Sequence, residues 1–154
     1  MPIGKVEGIY VTPNRGEPTM LVEQAHVVPG KGIEGDRYFN QHETSIADSK
    51  PGREITLIEM ESIEAICRED GVIISPDQTR RNIVTRGVSL NDLVGQLFNI
   101  GTIQLRGIRL CEPCNYLASR TDQRILHSMA HRGGLRAEII TEGIVHINDI
   151  ITTA

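Results

Sequence analysis

The apolar residues of this chain fall into many short runs separated by turn signals, and this pattern constrains the fold more than any other feature. Period-two alternation or short apolar runs bounded by Gly, Pro, Asn and Asp are typical of strands. The predicted strands cover residues 5–12, 19–28, 55–58, 80–84, 96–99, 102–110, 135–141 and 144–151. In the run 102–110 the alternation slips at Gly107, which predicts a bulge or bend there.

Helical periodicity is clear in one place. Residues 59–70 carry one apolar face made of Met60, Ile63, Ile66 and Cys67, so we expect a helix with Cys67 in the core. Shorter helices are predicted over 113–118 and 122–131, and a tight turn or a single helical turn over 90–95. The segment 29–53 reads as irregular, and loops of that length are usually functional or disordered. Many short strands with few short helices favour a mainly β fold (α+β) built on a bent, barrel-like sheet.

Length and composition narrow the class of protein. The chain has 154 residues, so we expect one domain spanning residues 1–154. A net charge of −4, an aromatic content of 3% and the absence of Trp argue against a nucleic-acid partner. No apolar run approaches the ~20 residues of a membrane span, so we expect no membrane association through such a span. Three cysteines without a secretory leader favour a reducing cytoplasmic location.

Cys111 and Cys114 form a C-x-x-C pair between a predicted strand and a predicted short helix. Backbone N–H groups and the helix dipole at that place would favour a thiolate. A zinc ribbon needs a second such pair, and a thioredoxin-type pair needs a βαβ context; this chain has neither. Two interpretations remain open: a buried structural pair, or a functional thiol that carries sulfur or binds a soft metal.

Arginine-rich segments elsewhere could hold an anion. Arg81 and Asn82 precede an apolar pair, and they are either an exposed strand start or side-by-side donors for an anionic ligand. Arg136 follows two glycines that would let backbone amides approach a phosphate. Residues 30–35 match the dinucleotide fingerprint in letters, but no helical pattern follows, so a tight loop that directs Asp36 and Arg37 is the better interpretation. The alternative interpretation is purely structural: the Asp36 side chain only accepts hydrogen bonds from backbone amides of the turn.

Taken in order, these motifs resemble a known family. The chain is similar to MOSC domains, the C-terminal domain type of molybdenum cofactor sulfurases, over nearly its whole length. The resemblance rests on residues 32–37 (GIEGDR), 55–59 (ITLIE), 81–83 (RNI), 93–95 (LVG), 98–101 (FNIG) and 111–114 (CEPC). It implies a barrel-like β fold and a cleft that handles the pterin-bound molybdenum cofactor, or sulfur destined for a metal centre.

The resemblance also implies roles for individual residues. Cys114 matches the family's presumed sulfur carrier or molybdenum ligand, with Cys111 as its less constant neighbour. Cofactor-binding positions map to the Gly-Asp loop, the Arg-Asn pair and the glycine-rich segment, that is Gly35, Asp36, Arg37, Arg81, Asn82 and Arg136. We expect a stand-alone, minimal member, since the pyridoxal-phosphate desulfurase domain of the eukaryotic sulfurases and the extra N-terminal domain of the longer reductases are not in this sequence. No Lys has a setting that favours a pyridoxal Schiff base.

The sequence leaves three possible functions. The first is a molybdenum cofactor or sulfur-handling protein, in which Cys114 carries a persulfide or binds molybdenum and Cys111 resolves the persulfide. Its partners would be a cysteine desulfurase or a molybdoenzyme. The second is a molybdenum-dependent reductase of N-hydroxylated compounds, as the longer relatives imply. The third is a non-catalytic binding module with a structural C-x-x-C. The sequence leaves the oligomeric state open.

Overall fold

The computed structural model describes residues 2–14, 16–37, 39 and 54–153. The strands are β1 Pro2–Val11, β2 Met20–Val22, β3 Gln24–Val28, β4 Gly32–Ile33, β5 Ile55–Glu59, β6 Ile83–Arg86, β7 Leu97–Ile100, β8 Ile103–Leu110, β9 Leu135–Ile139, β10 Gly143–His146 and β11 Ile150–Thr153. The helices are α1 Met60–Asp70, α2 Asn115–Arg120 and α3 Ile125–Ser128, with 3-10 turns at Pro76–Thr79 and Leu90–Leu93.

A closed sheet organises the described residues. Seven of their strands pair in the order β1-β11-β7-β8-β9-β5-β6 and return to β1, while β2 lies outside this ring against β1. Neighbouring strands are antiparallel except β5 and β6, which run parallel because α1 connects them. The prediction of a mainly β, barrel-like fold is confirmed.

The barrel has an apolar interior and one covered outer patch. Strands β5 and β6 are buried on both faces: Leu57 and Ile83 point into the barrel, whereas Ile58 and Val84 point outward. The outward residues pack against α1 and against apolar residues of α2 and α3. The three helices therefore cover one side of the barrel, and the polar site described below lies next to this second cluster.

Two long predicted strands are each divided in the structure. The run 19–28 splits into β2 on the barrel edge and β3, which joins β4 and β10 in a small separate sheet. The run 144–151 splits into β10 and β11 because Asn148 adopts φ 75° and turns the chain. The Asp149 carboxylate accepts the backbone N–H of His146 and stabilises this turn. The prediction of one continuous strand over 144–151 is therefore wrong at this Asn-Asp turn.

All three predicted helices are found near their predicted positions, although their bounds differ. Helix α1 ends before Gly71 as expected, but Cys67 is exposed, because the buried face of the helix consists of Ser62, Ile63 and Ile66. The predicted helices 113–118 and 122–131 are reduced to α2 and α3. None of the helices in the described residues has the length and apolar character needed to span a membrane.

Three further local predictions concern the bulge in β8, the start of β6 and the irregular segment 29–53. The pairing of β8 with β9 shifts register between Gly107 and Arg109, which confirms the predicted bulge. The run 80–84 begins as strand only at Ile83, since Arg80 ends the turn Pro76–Thr79 with φ 61°. Of the predicted irregular segment 29–53, residues 38 and 40–53 lie outside the described residues.

Candidate functional site

A cleft of about 260 Å³ opens on the outer face of the barrel beside the helical layer. Its described walls come from β5 and β9, from residues 80–82 just before β6, and from the segment that runs from the end of β8 into α2. The lining residues are Gly16, Arg37, Thr56, Arg80, Arg81, Asn82, Cys111, Cys114, Tyr116, Leu117 and Arg136. The cleft therefore brings together Cys111, Cys114, Arg37, Arg81, Asn82 and Arg136 from the predicted site; Gly35 and Asp36 do not line it.

Positive charge dominates this cleft. Four of its described lining residues are arginines, Arg37, Arg80, Arg81 and Arg136, and none of those lining residues is Asp or Glu. Guanidinium groups bind phosphate and carboxylate through a planar fork, and like charges gathered in a concave site raise the local positive potential. The described walls suit an anionic ligand although the chain carries a net charge of −4.

Arg81 forms the inner wall. Its side chain is 8% exposed, and its guanidinium donates hydrogen bonds to the carbonyl oxygens of Gly133 at 2.8 Å, Thr79 at 3.2 Å, Cys111 at 3.0 Å and Glu112 at 3.4 Å. These bonds join three loops that are distant in sequence. Arg81 therefore fixes the position of the Cys111–Cys114 segment while contributing its charge to the cleft.

Asn82 connects two strands of the barrel, β5 and β1. Its side-chain oxygen accepts hydrogen bonds from the backbone N–H and the hydroxyl of Thr56, both at 3.1 Å. Its side-chain amide donates to the carbonyl oxygen of Tyr10 at 3.0 Å. Asn82, one residue before β6, thus ties β5 to β1 at the floor of the cleft, and it is only 5% exposed because its side-chain hydrogen bonds go to the protein.

The two cysteines of the C-x-x-C pair differ in environment. Cys111 is 1% exposed, its backbone N–H donates to the Gly134 carbonyl at 2.8 Å, and its own carbonyl accepts from Arg81. Cys114 is exposed and immediately precedes α2, where its carbonyl accepts the Ala118 N–H at 3.0 Å. Both thiols are free. Cys114 is thus the thiol that a ligand or partner in the cleft can reach.

A glycine makes the close packing of this wall possible. Gly134 adopts φ 115°, and a Cβ atom there would overlap the carbonyl oxygen of Leu57 on β5. A side chain at this position would push the segment before β9 away from the barrel. The glycine-rich segment therefore holds the Cys111 loop and Arg136 against the cleft.

The loop after β4 contributes one side chain to the cleft. Asp36 is fully buried, and its carboxylate accepts the Thr12 N–H at 2.9 Å and lies 3.7 Å from the Arg37 guanidinium. The Arg37 N–H in turn donates to the Thr12 carbonyl at 2.7 Å. Asp36 thus orients the loop and Arg37, while Arg37 itself lines the cleft.

Arg136 reaches the cleft from the middle of β9. It pairs across the sheet with Thr56 of β5 on one side and with Arg109 of β8 on the other. Opposite residues of neighbouring strands project from the same face of a sheet. This register places a second cationic residue, Arg109, beside Arg136 on the outer face of the barrel.

The structure adds residues at the mouth of the cleft that sequence analysis missed. Tyr116 is 48% exposed, and its ring centroid lies 5.7 Å from the Arg80 guanidinium carbon and 5.6 Å from that of Arg120. Both distances are within cation–π range. The position of Tyr116 two residues after Cys114 was the available signal, but the approach of Arg80 depends on its left-handed backbone conformation, which the sequence does not reveal.

The described residues were searched for side chains that together could bind a metal ion. Within the described ranges, no group of three or more His, Cys, Asp or Glu side chains is arranged to hold a metal ion. A metal that arrives with its own organic ligand needs fewer protein ligands, and one exposed thiol can supply a soft donor. Cys114 is the residue in the cleft that could do so.

Comparison with known proteins gives a family match. The family model of the MOSC domain matches residues 42–152. A search of the curated proteins finds no match.

Solved structures share the fold at low sequence identity. The YuaD protein from Bacillus subtilis has a TM-score of 0.80 and 18% identity, covering 96% of this chain and 93% of that protein. YiiM from Escherichia coli has a TM-score of 0.69 and 18% identity, covering 97% of this chain and 69% of that protein. YiiM from Geobacillus stearothermophilus has a TM-score of 0.68 and 14% identity, covering 100% of this chain and 74% of that protein.

Proposed function

This chain belongs to the MOSC domain family, and from that premise we propose that it handles the molybdenum cofactor or the sulfur destined for it, with Cys114 as the reactive group. The family is associated with molybdenum cofactor sulfurase-like and molybdopterin-binding roles. The observation that carries the proposal is the exposed thiol of Cys114 in a cleft whose described walls hold four arginines and no carboxylate.

The residues of the cleft fit the cofactor chemically. Molybdopterin carries a phosphate group, which Arg37 and Arg136 would bind, and its metal accepts a soft thiolate, which Cys114 would supply. When bound, the cofactor supplies a molybdenum centre for oxygen-atom or sulfur chemistry. Arg81 adds charge to the inner wall and keeps the Cys111–Cys114 segment in place through its bonds to carbonyl oxygens.

Sulfur transfer to Cys114 needs no external oxidant. The Cys114 thiolate attacks the terminal sulfur of a persulfide on a cysteine desulfurase. The new S–S bond forms on Cys114 while the S–S bond of the donor breaks, and the donor cysteine leaves as a thiolate. One sulfur atom moves with no net change in oxidation. The cationic walls of the cleft favour the anionic persulfide that results. We place the protein in the cytoplasm because a thiol carrier needs a reducing compartment.

The carrier role is tested by mass spectrometry after incubation with a cysteine desulfurase and L-cysteine. We expect one added, reductant-labile sulfur atom on the wild type and none on Cys114→Ser. Cys67→Ser is the matched control, because Cys67 is also an exposed free thiol but lies on α1 rather than in the cleft. The carrier role is contradicted if the wild type gains no sulfur, or if Cys114→Ser is labelled as strongly as the wild type.

Metal analysis tests whether Cys114 is a molybdenum ligand. Protein from a host that makes the cofactor would be analysed for bound molybdenum, for the wild type and for Cys114→Ala. Stoichiometric molybdenum that Cys114→Ala loses would support direct ligation and the reductase-type alternative. Sulfur loading without bound molybdenum would support the carrier alone. Molybdenum bound equally by both proteins would rule out Cys114 as the ligand.

A further inference from the structure

The Cys111–Cys114 segment is bound by a turn that precedes β9. The His131 backbone N–H donates to the Glu112 carboxylate at 2.8 Å, and the His131 ring nitrogen Nδ1 lies 3.3 Å from the same carboxylate. Two residues beyond this turn, the carbonyl of Gly134 accepts the backbone N–H of Cys111 at 2.8 Å. The two segments therefore lie side by side, and Glu112 makes a side-chain contact between them.

The turn at His131 has an unusual backbone conformation for its residue type. His131 adopts φ 63°, in the left-handed region that costs a non-glycine residue free energy. Side chains bind both of its backbone polar groups: Glu112 accepts its N–H, and the Asn91 amide donates to its carbonyl at 2.8 Å. A residue keeps such a conformation only when its surroundings determine it. The turn is therefore a fixed anchor, and Glu112 is attached to it.

This contact also sets where the charge of Glu112 lies. Cys111 and Cys114 both line the cleft, whereas Glu112, which lies between them in sequence, does not. A carboxylate that faced the cleft would repel a thiolate and any other anion there. The bond to His131 keeps the Glu112 carboxylate out of the cleft lining, so the cationic character of the described walls is preserved.

The backbone carries the position of Glu112 to the reactive thiol. Arg81 donates to the Glu112 carbonyl at 3.4 Å, so Glu112 is held through its backbone as well as through its side chain. Pro113 follows, and its ring fixes φ and leaves it without a backbone N–H. One stiff residue therefore separates the anchored Glu112 from Cys114, and a displacement of Glu112 would displace the thiol.

We propose that Glu112 is a positioning residue for the Cys114 thiol. By accepting the His131 N–H, Glu112 holds the thiol against the arginine-lined walls of the cleft, and the inference rests on the proposed function for the reaction that Cys114 performs. The anchor needs only an acceptor at position 112 and a backbone N–H at position 131, so Glu112→Gln and His131→Gly should both preserve it. An effect of charge alone would differ, because loss of the carboxylate would then make the thiolate more favourable in Glu112→Gln and Glu112→Ala alike.

The rate of Cys114 alkylation by iodoacetamide at neutral pH tests the positioning role. The full chain carries Cys67→Ser in every sample, so that Cys114 is the exposed thiol that remains, and mass spectrometry follows its alkylation. We expect Glu112→Ala to react about fivefold or more slowly, and Glu112→Gln and His131→Gly to stay within about twofold of the parent protein. His131→Gly should also keep or raise the melting temperature, since glycine accepts the left-handed conformation. Glu23→Ala is the matched control, because Glu23 is exposed between β2 and β3 and does not line the cleft.

Three results would overturn the positioning role: Glu112→Ala alkylated as fast as the parent protein or faster, Glu112→Gln as slow as Glu112→Ala, or His131→Gly as slow as Glu112→Ala. The two proposals fail separately, because alkylation needs no sulfur donor. A wild type that gains no sulfur, while Glu112→Ala slows alkylation and Glu112→Gln does not, contradicts the carrier role alone. A wild type that loads sulfur, while Glu112→Ala leaves alkylation unchanged, contradicts the positioning role alone.

Discussion

The inner wall of the cleft and its mouth are made of similar residue types used in opposite ways. On the inner wall, Arg81 and Cys111 are buried, and the Arg81 guanidinium donates to backbone carbonyls. At the mouth, Arg120 and Cys114 are exposed. The comparison teaches that an Arg and a Cys near a ligand site can be structural or reactive, and that burial and hydrogen-bond partners separate the two roles.

Substitutions in these two regions should have different effects on the free energy of unfolding. Buried carbonyl groups that lose their donor are destabilising, whereas exposed side chains contribute little to folding. Substitutions in the inner wall should therefore change the free energy of unfolding. Substitutions at the mouth should change ligand binding or sulfur loading instead.

The largest effect on stability is expected for Arg81→Met, which keeps much of the side-chain volume and removes every donor. The carbonyl groups of Cys111, Glu112 and Gly133 would lose their bonds to Arg81, at a cost of roughly 3 kcal/mol or more. Urea denaturation followed by circular dichroism measures this change. Arg68→Met, on the exposed surface of α1, should stay within about 0.5 kcal/mol of the wild type. Equal stability of the two variants would show that Arg81 does not hold the inner wall in place.

A serine at each position of the C-x-x-C pair gives the next effect. Cys111→Ser buries a hydroxyl in place of a thiol and should cost about 1–3 kcal/mol, because Cys111 is 1% exposed. Cys114→Ser should cost less than about 0.5 kcal/mol, because Cys114 is exposed. Thermal and urea unfolding of both variants would show the difference. If the two costs were reversed, the assignment of Cys111 to the wall and Cys114 to the mouth would be wrong.

The smallest effect concerns pH and lies outside both regions. The ring N–H groups of protonated His26 on β3 donate at 2.8 Å to the carboxylates of Glu34 and Glu142, and these bonds, that to Glu34 first, raise the pKa of His26 above its ordinary 6.5. A raised pKa in the folded state stabilises the protein at pH below 6.5, and this stabilisation is lost as pH rises through the raised value. His26→Gln should flatten the pH dependence of unfolding above pH 6.5. An unchanged pH profile would show that the dependence comes from another group.

Much of the fold followed from periodicity, since alternation in the short apolar runs predicted a barrel-like sheet and the face of α1 predicted a helix. Predictions failed where a single backbone conformation decides the structure. Asn148 interrupts the last apolar run, and the exposure of Cys67 depends on which face of α1 meets the barrel.

The site was partly predictable for a similar reason. The motifs identified Cys114, Arg81 and Arg136, which the structure brings to one cleft. The sequence could not reveal that Arg81 is held by carbonyl groups more than 30 residues away, such as that of Gly133. Nor could spacing reveal that Arg80 and Arg120 approach the same ring, because that contact depends on tertiary structure.

Cys114 is proposed as the reactive thiol because it is exposed in a cationic cleft. The most direct test is peptide mapping of sulfur on wild-type protein exposed to limiting amounts of a persulfide-loaded cysteine desulfurase. All three cysteines are present in that one chain, with Cys67 exposed elsewhere and Cys111 buried. We expect the added sulfur on the peptide that contains Cys114 and none on the peptide that contains Cys67. Equal labelling of Cys67 and Cys114, or labelling confined to Cys67, would contradict it.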